Sequence, residues 1–399
     1  MNKGRIAITG MGAICALGND VDALTKSLVE GTRGIKPLEH LDLGFPELHF
    51  GEVALSNAEL VQELKALLGE EFALPLSRTA LLALFAALSA TREALDENNT
   101  VVISASTVGG MDLSERLFAD WKAGEMTQAR YAAEHPVGSH TSFVADAIGC
   151  KAMHTTISTA CSSSANAMIL GAQLLRTGRA KRVLAGGSDA LCKFTIEGFK
   201  ALSAMDTTGV TKPFSNERNG MNLGEAAAYL VMEREADALE AGRKPLAFFA
   251  GGANRNDAHH QTATSPEGNG PYLAMRDALE IAGLKPDEVD HINAHGTGTD
   301  NNDITELAAM ERLFRKVPQY TTTKALTGHT LAAAGALEAV ISIICMREGI
   351  VPVGHATSAA ITGHTAMPVA QTIRRPLRNV LSNSFGFGGN DTAIILMGS

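Results

Sequence analysis

Short apolar runs alternate with longer alanine- and leucine-rich stretches along the chain. Ile6–Thr9, Val101–Ala105, Met153–Ile157, Val183–Ala185, Ala226–Val231 and Ala393–Met397 are brief and mostly apolar, as strands inside a sheet are. Arg78–Leu95 and Ala165–Leu175 have the length and composition of helices, and Asp303–Phe314 that of an amphipathic helix. The alternation predicts an α/β fold with strands inside helical layers. A strand, a small-residue turn and an Ala-rich helix around Cys161 recur around His329. This correspondence predicts two similar βαβ-type halves, roughly 1–250 and 251–399, facing each other across the reactive groups.

Composition narrows the class. A chain of 399 residues, 45% of them hydrophobic, can bury a large core. Met1–Arg5 leads straight into a strand-like run, so no secretory leader is expected. The most apolar stretch, Leu331–Met346, is short and carries Glu338, so no membrane span is expected. Five cysteines, odd in number, scattered and without a Cys-x-x-Cys pair, fit a reducing cytoplasm and argue against a structural zinc site. A net charge of −9 disfavours nucleic acid or an anionic membrane as the main partner.

Three segments carry chemistry. Ser158-Thr-Ala-Cys-Ser-Ser-Ser164 places Cys161 between a strand and a helix-like run. There, backbone N–H groups and the helix dipole favour a thiolate. Asn293-Ala-His-Gly-Thr-Gly-Thr299 places His295 on a glycine-flanked loop, and Lys324-Ala-Leu-Thr-Gly-His329 places a second histidine before an Ala-rich helix. A nucleophile and two imidazoles at element ends form a candidate catalytic group. Two other patterns carry less. Gly10-Met-Gly12 opens like a dinucleotide fingerprint but has Cys15 where the third glycine belongs, and the adjacent His259 and His260 lack further ligands at suitable spacing.

With these segments in place, the chain resembles the elongating, Cys-His-His type of β-ketoacyl-[acyl-carrier-protein] synthase of fatty acid and type II polyketide synthesis. The likeness runs through Ile8-Thr-Gly-Met-Gly12, Thr159-Ala-Cys-Ser-Ser163, Lys212-Pro-Phe214 with Arg218 and Gly220, both histidine segments, and Asn383-Ser-Phe-Gly-Phe-Gly-Gly389. It implies a thiolase-like fold, duplicated into five α-β-α-β-α layers, and decarboxylative Claisen condensation of an acyl group with malonyl-acyl carrier protein. The resemblance makes Cys161 the acyl carrier and gives the oxyanion to the N–H groups of Cys161 and Phe387, whose ring would also gate the acyl tunnel. His295 and His329 would hold the malonyl thioester oxygen. Lys324 would hold a carboxylate behind them, with Glu306 as its natural partner. Thr297 and Thr299 would meet the phosphopantetheine arm, which the carrier protein brings, so no separate cofactor is expected. Val108 would line the acyl pocket.

An acidic carrier protein docking on an acidic chain needs a local basic patch. Candidates are Arg78, Lys200, the group Arg176, Arg179, Lys181 and Arg182, and the group Arg374, Arg375 and Arg378. The resemblance also implies a dimer, either of identical chains or with a chain-length factor. Ala325 where serine is usual, Asn390-Asp391 where Thr-Asn is usual, Gly224-Glu-Ala-Ala-Ala228 and a short Ser203–Lys212 segment depart from the family pattern. They point to a specialised paralogue, for example one for polyenes or polyketides. A non-catalytic chain-length factor is the alternative, and it would typically lack the cysteine. A degradative thiolase would carry a second cysteine near its C-terminus, and an initiating synthase would have Asn in place of His329.

Overall fold

The computed structural model, which describes residues 4–69, 72, 76–91, 99–124, 133–354 and 360–399, is organised around one sheet of ten strands. In chain order these are β1 (Ile6–Cys15), β2 (Thr100–Ala105), β3 (His154–Ile157), β4 (Arg182–Asp189), β5 (Ala226–Arg234), β6 (Ala247–Asn256), β7 (His291–Asn293), β8 (Gln319–Thr321), β9 (Asn379–Gly386) and β10 (Asn390–Gly398). Most extend beyond the apolar runs that announce them. The stretch expected to reach Leu95 is helical over Arg78–Ala90, and its last residues lie outside the described ones.

The spatial order is β8-β7-β9-β10-β6-β1-β5-β4-β2-β3. Each set of five follows the same plan of third, second, fourth, fifth and first strand. In both, the second strand pairs parallel with the third and fourth, while the fifth runs antiparallel to its neighbours. The sets join where Ile6–Ile8 of β1 pairs with Ala247–Phe249 of β6. The strand that opens the second set therefore begins shortly before the expected junction at 250/251.

Helices divide this sheet into five layers. Ser163–Arg176 and Ala334–Glu348 lie between the two sets of strands, and their Met168, Ala172, Leu337, Val340 and Ile344 share one core with Val183, Leu230, Val380 and Ile394. Arg78–Ala90 and Ser139–Ala147 cover the outer face of the first set, and Asn269–Ala282 and Asp300–Leu313 that of the second. The fold is therefore the thiolase-like one.

Local sequence explains the central layer. Ala334–Cys345 is buried on every side, so a polar helix face would have been left without water or partners. A Cβ on Gly335 would stand 2.8 Å from the Ala165 nitrogen, which is why the two central helices can cross so closely. Gly10 and Gly12 serve packing too. A Cβ there would meet the carbonyl oxygens of Ala90 and Ala86 at 2.4 and 2.2 Å, so these glycines seat a helix on β1. Among the described residues, no helix is long and apolar enough to cross a membrane.

Candidate active site

Cys161 sits at a sharp turn between β3 and the Ser163–Arg176 helix, and Ala160 before it adopts φ +52°. The small polar run makes that turn. The Thr159 N–H donates to Ser163 Oγ at 2.8 Å, while the hydroxyls of Ser162 and Ser163 donate to the carbonyls of Thr159 and Ala160 at 2.8 and 2.6 Å. These bonds hold a left-handed alanine in place against its local strain. The thiol is 6% exposed, and burial pushes it up to about 11. The nearby Lys324 charge and the backbone N–H groups of Phe387 and Cys161 pull the other way. Contrary to the thiolate expected at a helix start, desolvation wins and the group rests as a thiol.

The two imidazoles meet edge to face, their ring centres 5.4 Å apart. His329 is fixed by backbone. Its N–H donates to Asn222 O at 2.8 Å, its carbonyl accepts from Gly224 N, and its Nδ1 accepts from Leu331 N at 3.2 Å. An accepting Nδ1 places the proton of the neutral ring on Nε2, which has no partner and is a donor held in reserve. Burial, reinforced by Lys324, holds both histidines well below the usual imidazole range, so they are neutral.

Lys324 and Glu306 do not pair. Lys324 forms its buried ion pair with Glu338 of the central Ala334–Glu348 helix. Glu306 instead accepts from the backbone N–H groups of His295 and Gly296 at 2.8 and 2.9 Å and from Asn383 Nδ2 at 2.9 Å. A carboxylate engaged by three donors is spent on shaping the histidine loop and cannot also serve the lysine. Burial pushes both Glu306 and Glu338 up to about 7.

Sequence reasoning overlooked further supports. Asp303 accepts from Phe214 N at 2.6 Å and Gly298 N at 3.1 Å, and a Cβ on Gly296 would meet the Phe214 ring at 2.6 Å. The Lys-Pro-Phe motif thus packs against the His295 loop. Asp189 ties the 106–108 turn to the segment after His329, accepting from Val108 N at 3.0 Å and Ala332 N at 2.8 Å. An isolated aspartate at a strand end carries no sequence signal of such a role.

Cys161, His295, His329, Thr297, Thr299, Phe385 and Phe387 line one cleft of about 300 Å³. The hydroxyls of Thr297 and Thr299 are 2.9 Å apart, and the Phe387 ring lies 5.8 Å from that of Phe199. A Cβ on Gly386 would crowd Thr159 O at 2.8 Å and Cys161 N at 3.2 Å, so glycine is what lets the Phe387 N–H come up to the nucleophile. Val108 is not among the cleft-lining residues. It is buried in an adjoining apolar cluster with Leu191, Ile196, Met205 and Leu331. His259 and His260 are exposed on the loop that brings Thr262–Thr264 to the cleft mouth.

Two docking candidates fall away. Arg78 is 1% exposed and bonds Glu225, and Arg182 is 8% exposed beside Glu233, so neither can present charge to a partner. Lys200, Arg179, Lys181, Arg374 and Arg378 are at the surface.

Comparison with known proteins agrees with this architecture. Residues 3–238 match the model for the β-ketoacyl synthase N-terminal domain, and residues 246–358 match that for the C-terminal domain. A chloroplastic 3-oxoacyl-[acyl-carrier-protein] synthase II of Arabidopsis thaliana is 32% identical, over 98% of this chain and 75% of its own length. Nodulation protein E of Rhizobium meliloti is 31% identical, over 98% of each. Among solved structures, the ishigamide ketosynthase/chain length factor superposes with a TM-score of 0.90 at 28% identity, covering 99% of both chains. A ketosynthase in complex with its chain length factor from Xenorhabdus doucetiae gives 0.85 at 29%, covering 99% of this chain and 98% of that one. The chain is a member of the β-ketoacyl synthase family, whose condensations elongate fatty acids and type II polyketides.

Proposed function

We propose that this chain is the catalytic subunit of such a synthase, joining an acyl group on Cys161 to a malonyl unit with loss of CO2. The observation that carries the reading is the convergence of a cleft-lining thiol and two neutral imidazoles, with His329 locked in the tautomer that donates from Nε2. A chain-length factor has no use for this set.

In the first half-reaction, Cys161 Sγ attacks the thioester carbonyl of acyl-acyl carrier protein. The N–H groups of Cys161 and Phe387 hold the tetrahedral oxyanion, each such donor contributing about 3 kcal/mol. Collapse expels the phosphopantetheine thiol, which takes the proton given up by Cys161. In the second, malonyl-acyl carrier protein enters past Thr297 and Thr299, and the C–C bond to its carboxylate breaks. The electron pair moves onto the thioester as an enolate, whose oxygen receives hydrogen bonds from His295 and His329. Neutral donors suit this step because they stabilise charge as it develops without first neutralising the departing carboxylate. The enolate carbon then attacks the Cys161 thioester, the tetrahedral adduct collapses to release 3-oxoacyl-acyl carrier protein and the Cys161 thiolate, and the thiolate takes a proton from water to reform the thiol.

The departures at Ala325 and Asn390-Asp391 support a specialised acyl substrate in a polyketide or polyene pathway. The partners are acyl carrier protein and a second subunit, identical or a chain-length factor. The test is to incubate the purified protein with acyl- and malonyl-acyl carrier protein, following CO2 release and the mass of the Cys161 peptide. A Cys161→Ala variant should fold and carry no acyl group. Absence of both acylation and CO2 release in the parent, alone and with a co-expressed homologue, refutes the reading.

A further inference from the structure

Leu331 adopts φ +51°, a left-handed conformation that strains a leucine and persists only where its surroundings impose it. It stands two residues after His329, and its N–H is the donor to His329 Nδ1 at 3.2 Å. That bond depends on the sign of φ. The angle sets how the 330–331 peptide is turned relative to the 331–332 peptide, so a right-handed Leu331 would carry its N–H away from the ring. The tautomer that leaves Nε2 as an unpartnered donor in this cleft-lining ring therefore hangs on one strained residue.

The constraint comes from far along the chain. Ala332 N donates to Asp189 Oδ2 at 2.8 Å, which pins the 331–332 peptide. Asp189 ends β4 and is fully buried. Local side chains do not supply this bond: Thr330, at the start of the Leu331–Ala333 turn, makes no side-chain cap, and Ala333, at the start of the Ala334–Glu348 helix, has none to give. A carboxylate suits the place, because the start of that central helix favours negative charge.

Asp189 is itself held fast. Its Oδ1 accepts from Ser106 Oγ at 2.5 Å, Thr107 N at 3.0 Å and Val108 N at 3.0 Å, and its Oδ2 also accepts from Thr107 Oγ1 at 2.6 Å. Ser106 Oγ in turn accepts from Gly109 N at 2.9 Å, so the turn that grips the carboxylate is closed on itself. Val108 and Leu331 share one apolar cluster, which leaves the two turns packed against each other. The Asp189 charge meanwhile works against the nucleophile, adding to the burial that pushes the Cys161 thiol up. It helps one half-reaction and opposes the other.

We propose that Asp189 is a positioning residue for the condensation: by holding Ala332 N it keeps Leu331 left-handed, and through that turn it keeps His329 a donor from Nε2. The inference rests on the donor role proposed for His329 above. It concerns which ring atom carries the proton, which can be read without turnover.

The test variant is Asp189→Asn. An amide offers one acceptor oxygen, for which the N–H groups of Thr107 and Val108 compete with that of Ala332, so its NH2 should turn toward Ala332 and break that bond. Nitrogen-15 NMR of histidine-labelled protein, with His329 assigned by its absence from His329→Ala, reads the tautomer. The parent should carry the proton on Nε2, and in Asp189→Asn it should be shared between both nitrogens. CO2 release from malonyl-acyl carrier protein should fall roughly ten-fold in kcat with KM little changed, short of the roughly 10²-fold for outright loss of a donor. Labelling of Cys161 by iodoacetamide should be no slower than in the parent, a split that general loosening of the fold would not produce. In the His329→Ala background Asp189→Asn should cost no further decarboxylation, because its effect has lost its route. An unaltered tautomer in Asp189→Asn, or an equal further loss without the imidazole, overturns the inference while the proposed function stands. Should the variant not fold, the parent still decides: a His329 ring protonated on Nδ1, or an Ala332 amide that exchanges hydrogen as fast as an unbonded one, overturns it equally. A parent that neither acylates nor releases CO2 refutes the proposed function instead, and the tautomer comparison remains readable.

Discussion

Lys324 and Glu338 form an ion pair sealed behind the two histidines, with 3% of each side chain exposed. The pair sets the electrostatics of the site from a place no substrate reaches. Its ammonium pulls the Cys161 thiol down and reinforces the neutrality of His295 and His329, while Glu338 makes its burial tolerable. Lys324→Met should therefore move the pH profile of Cys161 alkylation upward, since one of the few influences favouring thiolate is gone. In Glu338→Gln the ammonium is left without its counter-charge, which costs about 3–5 kcal/mol of stability by chemical denaturation.

The histidines face the cleft, and among the described residues neither imidazole hydrogen-bonds Cys161, so their loss should separate the half-reactions. His329→Ala and His295→Ala should still take an acyl group from acyl-acyl carrier protein. Each should lose malonyl decarboxylation by roughly 10²-fold or more, the usual cost of removing one donor to a developing oxyanion. Equal loss of acylation and CO2 release would mean that the histidines mainly activate the thiol.

Glu306 gives a pH signature to stability. Its folded-state pKa is raised from 4.5 to about 7, so the folded protein holds a proton that the unfolded chain releases. Stability from this group is present below about pH 4.5 and lost as pH rises through 7. Glu306→Gln should flatten that part of the curve, measured as denaturation midpoints across pH. It should also lower stability at acidic pH, because one amide oxygen cannot replace two acceptors for His295 N and Gly296 N, about 1–3 kcal/mol for a stranded donor.

Gly386→Ala tests the oxyanion geometry without touching a reactive group. The added methyl would press on Thr159 O at 2.8 Å and Cys161 N at 3.2 Å, driving the Phe387 N–H away from the nucleophile. Both acyl transfer and condensation should fall by roughly 10²-fold or more, in line with loss of one oxyanion donor. The far-ultraviolet circular dichroism should be unchanged. Unimpaired acyl transfer would remove Phe387 from the oxyanion hole.

Legibility followed locality. Cys161 could be read because the hydroxyls that build its turn are its own neighbours in sequence, and His295 and His329 because glycines and strand ends flank them. The duplicated strand order was legible only as a recurrent strand-turn-helix, since the register and the place of each first strand beside the fifth depend on long-range pairing. The partner of Lys324 was not legible. Glu338 lies inside an apolar helix, where it reads only as an interruption, whereas Glu306 lies on a helix that sequence placed near the site. Arg78 misled for the same reason: a cation beside a helix start looks available until Glu225, far along the chain, folds onto it. Asp391 read as a charge beside the gate, but its burial, which no local pattern announces, pushes the carboxyl up to about 8.

Strand β3 is an outer strand of the main sheet, paired only with β2 within it, and its Thr155, Thr156 and Ile157 are half-buried while Met153 beside it is 49% exposed. An open strand edge next to exposed apolar surface invites pairing with another chain. The same strand leads directly into the Cys161 turn, so a partner docked there would stiffen the nucleophile from below. We expect a dimer formed through β3, with His154→Pro weakening it, because the His154 N–H points out from the sheet edge while that of Thr155 faces β2. Light scattering of the purified chain at micromolar concentration reads the outcome. A stable dimer supports self-association, a monomer that gains activity only with a co-expressed homologue identifies a chain-length-factor partner, and a fully active monomer refutes the assembly.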